Sequence, residues 1–210
     1  MTVINSGAAP RHTAGALRRL EAAGSTPTTV EVAAYVSAMT VHCPFLGPSV
    51  DRGMTRWTVY ETATADLHAV ESEVFHVGVE AAETIRRRMR EPGGALACEC
   101  VVLLGSDVDH RAATAWPYWA LRNLYAPLGV LLGKFYAGHT ETDSFGTVIP
   151  PAPFSFIPVR AAVKQRDPCF LNSTPEVARA LSAADDDGRN VFETLPCDWT
   201  EIKKWARTQT

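Results

Sequence analysis

The clearest pattern in the chain is a three- and four-residue recurrence of apolar side chains over 66–91: Val70, Val74, Val77, Ala81, Ile85 and Met89. That spacing sets them along one stripe of a helix. The segment runs into Arg86, Arg87, Arg88 and Arg90 and breaks at Pro92-Gly93-Gly94. Residues 96–105 are nearly continuously apolar after their start, as in a strand buried on both faces. Residues 55–62 alternate and are rich in β-branched and aromatic side chains, which predicts another strand. Asp109 can cap a helix through 124 that carries Trp116, Trp119 and Leu124, with Pro117 as an internal irregularity. Further strands are expected at 129–136 and 154–163, the second demoted by Pro158 to an edge or bulged position. A short helix over 29–39 is stopped by His42-Cys43-Pro44-Phe45, and closing helices are expected at 174–183 and 199–207.

Helices alternating with strands, then a hairpin-like strand pair, predict an α+β fold: one domain, with a mixed sheet of about four strands covered by helices. A thioredoxin-like order is among the arrangements that fit. Residues 1–27, rich in Gly, Ala, Thr and Pro, read as a flexible N-terminal arm with a helical turn around 16–22; residues 28–210 form the domain.

The 210 residues are 46% hydrophobic and 20% charged, enough for a core. Twenty Lys and Arg against 23 Asp and Glu give a net charge of −3, with no global attraction to nucleic acid or to an anionic membrane. No apolar run approaches a membrane span and no apolar stretch follows the start of the chain as in a secretory leader. The five cysteines, Cys43, Cys98, Cys100, Cys169 and Cys197, are odd in number and lack the spacing of a disulfide framework. A soluble protein of the reducing cytoplasm is expected, with no membrane or nucleic-acid partner; a homodimer is compatible with this.

Several motifs fall short of the chemistry they suggest. Gly129 to Lys134 has one residue too few between its glycines for a phosphate loop, and Phe135 follows the lysine where Ser or Thr is required. Glu73 and His76 form half of a di-metal motif without a second half, so a charged surface helix is expected. Cys98-Glu99-Cys100 puts two thiols on one face of a strand, not at a helix start where a redox pair is activated, so both are expected as core side chains. The arginine cluster suits the C-terminal end of a helix dipole.

Cys43-Pro44 carries more. Proline cannot donate its amide and fixes the turn, so a thiolate can project from the loop as an axial ligand to ferric heme. His42 beside it and His139 in the polar run 139–142 are alternative imidazole ligands. Arg160, at the end of a half-apolar strand, needs a partner: Asp167 just beyond, or a substrate carboxylate held in a bidentate fork.

The pieces Cys43-Pro44-Phe45, Gly133-x-Phe135, Pro153, Val159-Arg160, and Asp167 with Phe170-Leu171 occur in an order that resembles an uncharacterised, mostly actinobacterial family of small proteins encoded beside natural-product biosynthesis genes. The chain departs from that pattern at Lys134, where the family has an acidic residue, and at Ala161, where it has a histidine. The Cys-Pro-Phe step is also similar to heme-dependent N-oxygenases acting on arginine-like amino acids. The resemblance implies a biosynthetic enzyme with a small, amino-acid-like substrate; the residues themselves add the expectation of heme as cofactor with Cys43 or His139 as ligand, and of His42, Arg160 and Asp167 at the reaction centre. Two other classes stay open: a cofactor-free enzyme with Cys43 as nucleophile and His42 or His139 as base, and a non-catalytic accessory protein of a pathway. The long loop at 138–153 would be the cover over any such site.

Overall fold

The computed structural model describes residues 15–143 and 146–163. In chain order the elements are β1 (Leu17–Gly24), α1 (Ala33–Met39), α2 (Leu46–Asp51), β2 (Thr55–Thr62), α3 (Leu67–Arg88), β3 (Cys98–Leu104), α4 (His110–Tyr125), β4 (Val130–Leu132), β5 (Glu141–Thr142), β6 (Val148–Ile149) and β7 (Ser155–Ala161). The fold is α+β: a mixed sheet in the order β1-β2-β3-β7-β4, covered by helices, with β5 and β6 as a separate hairpin. β2 and β3 are parallel; β1 runs antiparallel to β2, and β7 antiparallel to both β3 and β4. In a thioredoxin-like order the first strand of the parallel pair would take the antiparallel neighbour from the later part of the chain. Here the second one, β3, takes it, so the order differs.

Each face of the sheet has its own core. On one, Val101, Leu103, Ile157 and Val159 pack against Val70, Val74 and Ile85 of α3 and Leu121 of α4. The two helices meet closely at Gly78, where an added Cβ would lie 2.4 Å from Leu121 Cδ1. Both start as the sequence indicates: the Asp66 side chain accepts from the amides of His68 and Ala69, and Asp109 from that of Arg111. On the other face Trp57, Cys100, Val102, Phe154 and Phe156 pack against Tyr35, Val36 and Met39 of α1.

Three expectations are corrected. The first is the N-terminal arm: from Leu17 it is an edge strand, making five strands in the sheet rather than about four. Its anchor is Glu73, buried in α3 rather than on a surface helix face. The carboxylate accepts the amides of Gly15, Ala16 and Leu17 at 3.0, 2.9 and 2.7 Å, so a charge on the helix fixes the start of the strand. The second concerns Pro158, which lies in an interior strand between β3 and β4. Its carbonyl accepts from the Gly133 amide, so its own missing donor faces the same side, at the position where β4 has ended. Gly133 has no side chain to collide with the ring: a Cβ there would sit 3.0 Å from Pro158 Cγ. That pairing also explains the third correction. The strand expected over 129–136 stops at Leu132, and Phe135 rejoins β7 through an isolated bridge to Phe156. The helices expected at 174–183 and 199–207 lie outside the described residues.

The arginine cluster is spent on structure. Arg86 pairs with Glu83 at 2.9 Å, Arg87 donates to Thr84, and Arg88 reaches Glu99 on β3 at 3.0 Å. No helix among the described residues is long and apolar enough to cross a membrane.

Replacing Glu73 with Ala leaves three amides at the head of β1 without their acceptor. It should destabilise the fold by about 3 kcal/mol in urea unfolding. Amide exchange should accelerate first in residues 16–24. A second expectation concerns pH. Burial raises Glu99 above its ordinary 4.5, against the lowering influence of Arg56 and Arg88. A raised carboxylate favours its neutral form in the fold, so its contribution is complete below the ordinary value and is lost as pH rises through the raised one. The unfolding free energy of the native protein minus that of Glu99→Gln should therefore fall as pH increases from 4.5; a flat difference would contradict it.

Candidate functional site

Of the expected site residues, His42, Cys43 and Arg160 lie on the side of the sheet that α1 covers. Helix α1 ends at Met39, whose carbonyl accepts the amides of both His42 and Cys43 at 3.0 Å. Pro44 has no amide to give, and the chain turns through a Leu46 amide to Cys43 carbonyl bond of 3.1 Å into α2. His42-Cys43-Pro44-Phe45 is thus a tight corner between two short helices, fixed by backbone bonds at both ends.

The β5–β6 hairpin meets this corner. Asp143 opens its turn: its amide donates to the Thr147 carbonyl and its Oδ1 accepts the Thr147 amide, both at 2.9 Å. The second oxygen, Oδ2, lies 3.0 Å from His42 Nδ1. The two side chains are only 9% and 15% exposed, so water competes little for the bond. An ionised carboxylate can only accept, so Nδ1 carries the proton and Nε2 is the nitrogen left to bind a ligand or take a proton.

Arg160 enters from β7. Its guanidinium lies 4.9 Å from the centre of the Phe45 ring and donates to the Ala161 carbonyl at 3.0 Å. In the β3–β7 ladder Arg160 stands directly opposite Cys98, which places both on one face. Cys98 and Cys100 follow along that face with their sulfurs 3.8 Å apart. Burial raises the Cys100 thiol well above its ordinary range. Above the strand Tyr35 sets its ring edge-on to Phe156, and its buried hydroxyl has no hydrogen-bond partner among the described residues. A buried hydroxyl in that condition marks a place for a water or a ligand.

Of the residues expected from sequence, His42, Cys43 and Arg160 therefore cluster around one corner. Cys43 is partly buried there as a free thiol. His139 is exposed, and its contacts are local: its Nδ1 meets the Thr140 carbonyl at 3.0 Å and its ring lies 6.3 Å from Tyr136. Asp167 lies outside the described residues, so the Arg160–Asp167 pair does not enter the geometry. Within the loop expected over 138–153 there is the short β5–β6 hairpin, and one of its residues, Asp143, touches the site. Asp143 was not among the expected site residues; a lone Asp after a polar run gives no signal until the turn brings it back to His42. Among the described residues no three His, Cys, Asp or Glu side chains gather as a metal-ligand set. A groove of about 450 Å³ beside α3 is lined by Val79, Glu80, Glu83, Thr84 and Arg87. Glu83 there is already held by Arg86 and by the Tyr125 hydroxyl, so the groove offers no convergent reactive set.

The fold and corner define an α+β protein with a carboxylate-oriented histidine, a neighbouring thiol and a stacked arginine on one sheet face. Comparison with protein families, with characterised proteins and with solved structures finds no match.

Asp143→Ala removes the bond between hairpin and corner. Amide exchange should rise in residues 139–149 and 40–45 while the α3–α4 side of the sheet keeps its protection. Uniform change across the chain, or none, would mean that the bond does not hold the two segments together.

Proposed function

We propose that the chain is an enzyme of small-molecule biosynthesis, a heme-dependent oxygenase or N-hydroxylase acting on an amino-acid-like substrate. The observation that carries this is the His42–Asp143 hydrogen bond of 3.0 Å in a shielded setting. Histidines that ligate metals commonly give their second ring nitrogen to a carboxylate, which fixes the tautomer and makes the ligating nitrogen more basic. The donor set fits heme in kind: one carboxylate-oriented imidazole, with a thiol at the next residue. His42 is the residue that would hold the heme iron, ahead of Cys43 and of the exposed His139. Heme bound there would supply oxygen activation, the chemistry that amino-acid side chains lack.

The chain's own side chains do the rest. Asp143 holds the proton on Nδ1 and keeps the ring in one orientation. Arg160, its plane steadied against Phe45, is suited to a substrate carboxylate, for which a planar fork of donors is the natural partner. The Tyr35 hydroxyl is a spare buried donor on the same face. Asp167 is kept as a second partner for Arg160 or for the substrate's amino group. The reducing cytoplasm is the compartment we assign, since five cysteines without a disulfide framework suit it.

The test is an absorption spectrum of protein expressed with a heme precursor, then reduced and exposed to carbon monoxide. A stoichiometric Soret band at the imidazole position is expected, lost in His42→Ala and retained in Cys43→Ser and His139→Ala. A thiolate-type band lost in Cys43→Ser would move the ligand one residue along. A colourless protein that also refuses added hemin would overturn the heme assignment. Alkylation of Cys43 far ahead of the other thiols would then favour a cysteine nucleophile with His42 as its base.

A further inference from the structure

We propose that Cys98 and Cys100 form a two-sulfur site for copper(I), on the same sheet face as the His42 corner but not resting on that corner's assignment. The two side chains leave β3 on the same face, and their sulfurs stand 3.8 Å apart without being bonded. The residue between them, Glu99, points to the other face, where Arg88 holds it, so its carboxylate is no ligand of the pair, although its charge helps to raise the Cys100 thiol.

Closing this pair into a disulfide would need the sulfurs at about 2.05 Å and alpha carbons no more than about 6.8 Å apart. Two residues along a strand already span about 6.6 Å, at the edge of that range. β3 is also paired along its length to β2 and β7, so it resists the necessary bend. An ion between the sulfurs asks for no such movement. Two bonds as long as zinc makes to thiolate, about 2.3 Å each, reach across about 4.6 Å, and the 3.8 Å between these sulfurs falls within that span.

The surroundings select the ion. Structural zinc takes four ligands, and among the described residues no third His, Cys, Asp or Glu joins the pair. Thiolates are soft donors, which favour copper(I). The thioether of Met39, another soft donor, is buried in the same packed cluster. Trp57, Phe154 and Phe156 keep that cluster apolar. Binding balances simply: both thiols release a proton to solvent, copper(I) takes both sulfurs, and no electron changes hands. The product carries one negative charge, and Arg160, opposite Cys98 in the β3–β7 ladder, is a cation on the same face. Cys98 is partly exposed and gives the ion its way in.

The experiment titrates the reduced, full-length protein anaerobically with copper(I) presented as its bicinchoninate complex. One equivalent should leave the dye in a chain carrying Cys43→Ser, Cys169→Ser and Cys197→Ser. Adding Cys98→Ser should weaken apparent affinity at least 100-fold with the far-ultraviolet circular dichroism unchanged. Copper left with the dye, or withdrawn equally after Cys98→Ser, overturns the site. In the native chain, copper(I) should protect Cys98 from iodoacetamide in a mass-spectrometric footprint. Equal labelling with and without copper overturns it whether or not the multiple variant folds.

Discussion

The pairing of β7 with both β3 and β4 is the constraint on which the molecule depends. β7 comes last among the described strands and enters the sheet between two strands laid down earlier, closing it around an almost wholly buried β3. A proline sits in this interior strand, and its tolerance has a local cause. Pro158 offers no amide, β4 has ended where one would be wanted, and Gly133 makes room for the ring. The same insertion carries Arg160 to a position opposite Cys98 and above Phe45. The strand that closes the sheet therefore also carries one side chain of the candidate site.

The two faces of the sheet divide the work. Against α3 and α4 aliphatic side chains predominate, with Phe75 and Tyr125 buried among them, and two of the charged groups admitted there are tied down: Glu73 by three amides, Glu99 by Arg88. Against α1 and the β5–β6 hairpin the lining is aromatic and sulfur-bearing, with a Tyr35 hydroxyl that has no hydrogen-bond partner among the described residues and a histidine bonded to Asp143. Short elements build this second side: seven residues in α1, six in α2 and two in each hairpin strand. Segments so short hold position through tertiary bonds rather than through their own propensity, which makes the His42–Asp143 bond structural as well as chemical.

What the sequence could reveal followed from how local each cause is. α3, with its apolar stripe, α4, with its Asp109 cap, and β2, with its alternation, were readable because periodicity and capping act within the segment. β1 was not, because its start is fixed by Glu73, more than fifty residues away, and not by its own sequence. Pro158 argued for an edge by a sound rule, and the exception lies in Gly133, whose role appears only with the register. At the site, Cys43-Pro44 announced a fixed turn and His42 came with it. Asp143 could not be found, since a contact across 101 residues leaves no trace in spacing.

The bond between His42 and Asp143 is the central claim, and nitrogen-15 NMR of the imidazole tests it most directly. The native protein should show His42 as the Nδ1-protonated tautomer, with a downfield Nδ1 proton shielded from exchange, and Asp143→Ala should abolish that signal. A His42 spectrum typical of a freely exchanging imidazole, unchanged by Asp143→Ala, would contradict the account.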